Sequence, residues 1–151
     1  MASYGYQKNN AWFANIFTAE ANQNLGGISF YTASPESRYT LYVYVDVKEG
    51  HPRSGTQVKK ISGVVDEPSY FTKYFSSPVT LKKDQRFSVV VQLTTPDYNY
   101  PVPCQINIPG LSSKAHSEPG QGFVSDNGKS WTDIYRIEPN ASICLKGFAN
   151  P

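Results

Sequence analysis

The sequence predicts an all-β protein, a β-sandwich of jelly-roll (lectin- or carbohydrate-binding-module-like) type with about nine strands. Three observations predict it. Aromatic residues make up 14% of the 151, with 11 Tyr, 8 Phe and 2 Trp, and such residues favour the pleated, half-buried surface of a sheet. Eleven Gly and eleven Pro, together with Asn and Asp, cut the chain into short runs separated by turns. Several of those runs alternate apolar and polar residues with a period of two, and none shows a convincing helical period. The length fits one domain, residues 1–151, large enough to bury a core without metals or staples.

The strands follow in order. Residues 12–18 form the first and 24–31 the second, whose Gly26 and Gly27 suggest a bulge or a close backbone approach. A turn at Ser34-Pro35-Glu36-Ser37 leads into 38–46, the clearest strand. It places Tyr39, Leu41, Val43 and Val45 on one face and Thr40, Tyr42, Tyr44 and Asp46 on the other. A Gly/Pro-rich loop precedes 57–65, and 69–76 follows. Residues 86–94 alternate again, Phe87, Val89, Val91 and Leu93 against Arg86, Ser88, Val90 and Gln92. The loop Pro96-Asp97-Tyr98-Asn99-Tyr100-Pro101 separates that strand from 102–108. Residues 122–134 read as a hairpin turning at Asp126-Asn127-Gly128, because Asn-Gly tolerates the positive φ angles of tight turns. Trp131 then stands at the start of the second hairpin strand, and 141–148 is the last strand.

Charge narrows the function classes. Fourteen Lys and Arg against twelve Asp and Glu leave a formal net charge of +2, with no basic stripe, which argues against nucleic acid. No apolar run approaches the roughly 20 residues needed to span a bilayer. Met1-Ala2-Ser3 carries no export-signal pattern. A Tyr/Asn/Ser/Thr-rich β module with only 17% charged residues suits an extracellular or cell-surface setting, so the chain reads as one module of a longer secreted protein.

Catalytic chemistry finds little support. Paired-carboxylate catalysis needs two acids about 5–10 Å apart in a cleft, yet most acids here fall at predicted turns. Cys104 and His116 are the one thiol–imidazole pairing to consider, and nothing around Cys104 resembles an activating turn or helix start. No enzyme activity is expected. Two Cys and two His at wide spacing match no zinc pattern. No cofactor is expected. A structural calcium on Asp126, Asn127 and Asp133 stays open, although turn chemistry accounts for Asp-Asn-Gly. Cys104 and Cys144 leave two readings: a disulfide, which needs Cα atoms about 4.4–6.8 Å apart, or two buried thiols. Asn140-Ala141-Ser142 is a glycosylation sequon.

Aromatic display is the remaining signal. Sugar rings stack their C–H faces on Tyr and Trp, and concave sites combine aromatic walls with a few polar groups. Tyr42 and Tyr44 on one strand face, Tyr98 and Tyr100 in the proline-bounded loop, and Trp131 beside the hairpin turn are the candidate carbohydrate contacts. Packing within the domain is the competing reading for each.

An ordered set of segments carries a family resemblance. Asn15-Ile16-Phe17-Thr18-Ala19-Glu20, Ile28-Ser29-Phe30-Tyr31-Thr32 and Tyr39-Thr40-Leu41-Tyr42-Val43-Tyr44 open it. Ser77-Pro78-Val79-Thr80-Leu81, Phe87-Ser88-Val89-Val90-Val91, Tyr98-Asn99-Tyr100-Pro101, Ser112-Ser113-Lys114-Ala115, the 122–134 hairpin and Cys144-Leu145-Lys146-Gly147-Phe148 continue it. Over nearly its whole length the chain resembles the lectin-like domain of clostridial and methanogen surface and secreted proteins, often found C-terminal to a papain-type cysteine peptidase domain. Gln105 stands where the family often has an acid, and Cys104 departs from its pattern, whereas Cys144 fits. The resemblance implies a non-catalytic carbohydrate-binding or cell-surface attachment module, with polysaccharide or cell-wall glycan as partner. The alternative is a structural accessory module that stabilises or positions an adjacent cysteine peptidase domain without binding glycan.

Overall fold

The computed structural model describes residues 2–99, 101–106, 119–137, 141–143 and 145–149; for 2–4, 104–106, 141–142 and 146–149 it describes the strand alone. The described strands are β1 (Ala2–Tyr4), β2 (Asn10–Thr18), β3 (Gln23–Thr32), β4 (Ser37–Val45), β5 (Thr56–Val65), β6 (Ser69–Leu81), β7 (Arg86–Thr94), β8 (Val102–Ile106), β9 (Gly122–Ser125), β10 (Thr132–Asp133), β11 (Ala141–Ile143) and β12 (Leu145–Ala149). Nine of these have four or more residues. A single helical turn, α1 (Ile134–Ile137), interrupts them.

Three antiparallel sheets result. The largest has the order β10-β9-β2-β7-β4-β5, and the others are β12-β3-β6 and β1-β8-β11. Alternation in β2, β4 and β7 sends Phe13, Leu41, Val43, Val89, Val91 and Leu93 to one face, where all are fully buried. There they meet Leu25, Ile28, Phe30, Val79 and Leu81 from β3 and β6, as two packed layers do in a sandwich. Phe30 is the hub. Its ring lies 6.2 Å from Phe13, 5.6 Å from Tyr39 and 5.5 Å from Phe71, edge to face in each case. Burial in this cluster pushes the Tyr39 phenol pKa up, because the ionised form would be desolvated.

The sandwich matches expectation, and the differences lie at strand ends. The register of β3 against β6 shifts between Leu25 and Gly27, the irregularity that Gly26-Gly27 suggests. Strand β6 runs on to Leu81 through Pro78, past the predicted end at 76. Pro78 falls between the Gly27–Tyr74 and Leu25–Val79 pairs, where the ladder is already broken and its missing N–H costs no pairing. The predicted hairpin is looser than a tight Asp-Asn-Gly turn. Ser125 closes β9, β10 is only Thr132–Asp133, and Trp131 lies in the connecting loop rather than in the strand. Asp133 stops β10 by capping α1: its Oδ1 accepts from the Tyr135 N–H at 3.0 Å. The predicted strand 141–148 is divided, since β11 pairs with β8 and β12 pairs with β3.

Candidate functional site

The second face of the six-stranded sheet is covered too, and that covering builds the site. Tyr42, Val90, Ala14 and Phe123 stand in one cross-strand row. With Ile16, Tyr44 and Val47 they form a second buried cluster, against which Trp12 and Trp131 pack. Trp12 stacks on Tyr42 with centroids 5.8 Å apart and planes at 19°, and Tyr42 stacks on Tyr44 at 6.1 Å and 24°.

The loop between β4 and β5 folds over these rings. Asp46 turns it away from the sheet with φ of 60°. Ser54 knits it, its Oγ accepting from the Lys48 N–H and donating to the His51 carbonyl, both at 2.7 Å. The Ser88 hydroxyl donates to the Pro52 carbonyl and pins the loop to β7. Arg53 is thereby laid across the aromatic row, its guanidinium 4.7 Å from the Trp12 ring, 5.0 Å from Tyr42 and 5.9 Å from Tyr44. Nε donates to the Tyr44 hydroxyl at 2.9 Å, and Nη1 donates to the Gly128 carbonyl at 3.0 Å.

The β9–β10 loop supplies the other wall. Ser125 Oγ accepts from the Asn127 and Gly128 N–H groups at 3.2 and 2.9 Å. Asn127 Oδ1 accepts from Lys129 and Ser130 at 2.8 and 2.9 Å. Between the two loops lies a cleft of about 590 Å³, lined by Tyr44, Lys48, His51, Arg53, Ser54, Gly128, Lys129 and Trp131.

Two of the five aromatic candidates, Tyr44 and Trp131, therefore meet at one cleft. Tyr44 is 5% exposed and contributes an edge, while Trp131 is half-buried and forms a wall. Tyr42, 8% exposed, lies beneath Trp12 and Arg53 and offers no open stacking face. Tyr98 is half-buried in the loop after β7, where its carbonyl accepts from the Thr95 hydroxyl at 2.7 Å, and it does not line the cleft. Tyr100, Cys144, His116 and the sequon's Asn140 lie outside the described residues; of Cys104 the strand alone is described, opposite Ile143.

The oxygens weighed for calcium are engaged by protein groups. Asp126 pairs with Lys8, Asn127 organises its own turn, and Asp133 Oδ2 accepts from the Gly120 N–H at 2.6 Å. Among the described residues no three His, Cys, Asp or Glu gather as a metal site. No helix of the described residues is long and apolar enough to cross a membrane. Arg53, Lys48 and Lys129 were not legible as site residues, since a Gly/Pro-rich loop carries no periodic signal. The one hint is Asn127-Gly128, which marks where the chain must turn sharply beside the sheet.

The family model of the lectin-like domain matches residues 1–149. The chain belongs to the lectin-like domain family. Its fold is shared with the crystal structure of the cysteine protease and lectin-like domains of Cwp84, a surface layer associated protein of Clostridium difficile. That match has 23% identity and a TM-score of 0.73, covering 92% of this chain and 32% of that one. The clostridial cysteine protease Cwp84 after propeptide cleavage matches with 22% identity and a TM-score of 0.72, over 94% of this chain and 36% of that one. This lectin-like domain thus spans about a third of the solved chains it matches. No curated protein matches it.

Proposed function

We propose that this lectin-like domain is a non-catalytic saccharide-binding module of a secreted or cell-surface protein, and that the cleft between the β4–β5 and β9–β10 loops is its binding site. The observation that carries the reading is the cleft itself. Its volume, about 590 Å³, falls within the roughly 300–1,000 Å³ usual for small-ligand sites. It sets the half-buried ring of Trp131 opposite polar groups of Lys48, His51, Ser54 and Lys129, which supplies a flat apolar face and hydrogen-bond donors for hydroxyls. Its floor is held by Arg53 and the stacked rings, so the ligand would meet a preorganised surface.

The test is a glycan array followed by calorimetry on the best ligand. Trp131→Ala should weaken binding about tenfold or more, the equivalent of roughly 1.4 kcal/mol, with the fold intact by circular dichroism. Wild-type binding to no saccharide on the array, or full binding by the Trp131 variant, would sink the reading.

A second reading, an accessory module that positions a neighbouring domain, is favoured by a different surface. On the outer face of the β12-β3-β6 sheet, Tyr70 is 49% and Tyr74 70% exposed. The lectin-like domain of Cwp84 shares its chain with a cysteine protease domain. A neighbour docked there would be lost with Tyr74→Ser, a change remote from the cleft.

A further inference from the structure

Resting on the saccharide-binding reading, we infer that the cleft selects sugars bearing an anionic substituent, a carboxylate or a phosphate, held by Lys48, Arg53 and Lys129. The inference comes from the sign of the lining. Of the eight described residues lining it, three are cationic at neutral pH and none is acidic, in a protein whose basic and acidic residues nearly balance at 14 to 12. A cleft walled by one sign of charge focuses the field on its interior and draws in the opposite charge.

The acids closest in sequence do not line the cleft. Asp126, beside the Gly128 turn, has its charge balanced by Lys8, and Asp46, at the start of the β4–β5 loop, is not among the described residues lining the cleft. Glu49 follows Lys48 but is not among the residues lining the cleft. Among the described residues, no carboxylate forms an ion pair with Lys48, Arg53 or Lys129. Arg53 carries this furthest. Its charge rests on three aromatic rings instead of a carboxylate, and its two hydrogen bonds go to neutral oxygens. A guanidinium has five N–H donors, so capacity remains to bind an oxyanion. The rings over one face of the guanidinium exclude water there, and the lower local dielectric strengthens the charge-assisted hydrogen bonds of its in-plane N–H groups.

The experiment compares matched pairs by calorimetry on the wild-type domain: oligogalacturonates against their methyl esters, and phosphomannan against dephosphorylated mannan. The acidic member of at least one pair should bind about tenfold tighter, with the preference shrinking as salt rises. Which pair responds separates carboxylate from phosphate. The double variant Lys48→Gln, Lys129→Gln alters two exposed side chains and should shrink the ratio of acidic to neutral affinity severalfold, with Arg53 holding what remains. Equal affinity for acidic and neutral members, or an unchanged preference in the double variant, overturns the anionic selectivity and leaves the saccharide site standing. Failure of all saccharides, acidic and neutral, overturns both.

Discussion

Gly128 is the residue on which the two walls of the cleft depend. Its φ is +74°, and a Cβ there would sit 2.7 Å from Trp12 and 2.9 Å from Arg53 Nη1. An alanine must therefore pay the left-handed backbone cost, about 1–2 kcal/mol, and also displace the ring and guanidinium that form the floor. Gly50 separates the two effects, since its φ is +76° with nothing within 4 Å of the added Cβ. Gly128→Ala should lower stability by about 2–4 kcal/mol and Gly50→Ala by about 1, measured by urea denaturation. Equal losses would mean that Trp12 and Arg53 yield freely. The turn propensity of Asn127-Gly128 was legible in the sequence; the partners packed on the glycine were not. Trp12 is 116 residues away in the chain and Arg53 is 75, and no local pattern links positions so far apart.

At the scale of elements, the long alternating strands were the legible part. The predicted 86–94 coincides with β7, and the predicted 38–46 differs from β4 by one residue at each end. The division of apolar and polar faces in β4 also holds for its inner side, where Tyr39, Leu41 and Val43 are buried. Its outer side misleads, because Tyr42 and Tyr44 alternate like solvent-facing residues yet lie under the β4–β5 loop. Period-two alternation locates a face and says nothing about what later covers it. The same strand shows how a glycine can be the correct β residue. Tyr39 pairs with Gly63 of β5, and a Cβ on Gly63 would lie 2.6–2.9 Å from the Tyr39 ring and hydroxyl. That ring cannot retreat, with Phe71 at 5.2 Å and Phe30 at 5.6 Å. Gly63→Val raises intrinsic strand propensity, but it should destabilise the domain by about 1–3 kcal/mol through overpacking. A melting temperature unchanged or raised in this variant would contradict the tight Tyr39–Gly63 contact.

For the whole molecule, the question is what binds three sheets into one body. Apolar packing joins the six-stranded sheet to β12-β3-β6, and alternation foreshadows that core. The C-terminal strands are tied in by a polar contact that no sequence pattern announces. Asn15, on the inner face of β2 and only 5% exposed, donates through Nδ2 to the carbonyls of Leu145 at 2.7 Å and Ile143 at 3.3 Å. One side chain thus links β2 to β11 of one small sheet and β12 of the other. An Asn in a run of Ala14, Ile16 and Phe17 reads as a blemish in a strand, whereas buried it satisfies carbonyls that would otherwise face an apolar core. Asn15→Ala should cost about 1–3 kcal/mol, the penalty for leaving such groups unpaired. Hydrogen exchange should accelerate first in residues 141–149 while β4 and β7 keep their protection, because the lost bonds anchor the C-terminal strands alone. Asn15→Asp is the sharper case. It replaces the donor with an acceptor facing two carbonyl oxygens, so near neutral pH it should destabilise more than alanine does, and acidification should restore part of the loss as the carboxyl regains a proton. Uniform acceleration across all strands, or an aspartate variant as stable as the wild type, would show that the clasp is not what holds the C-terminal strands to the sandwich.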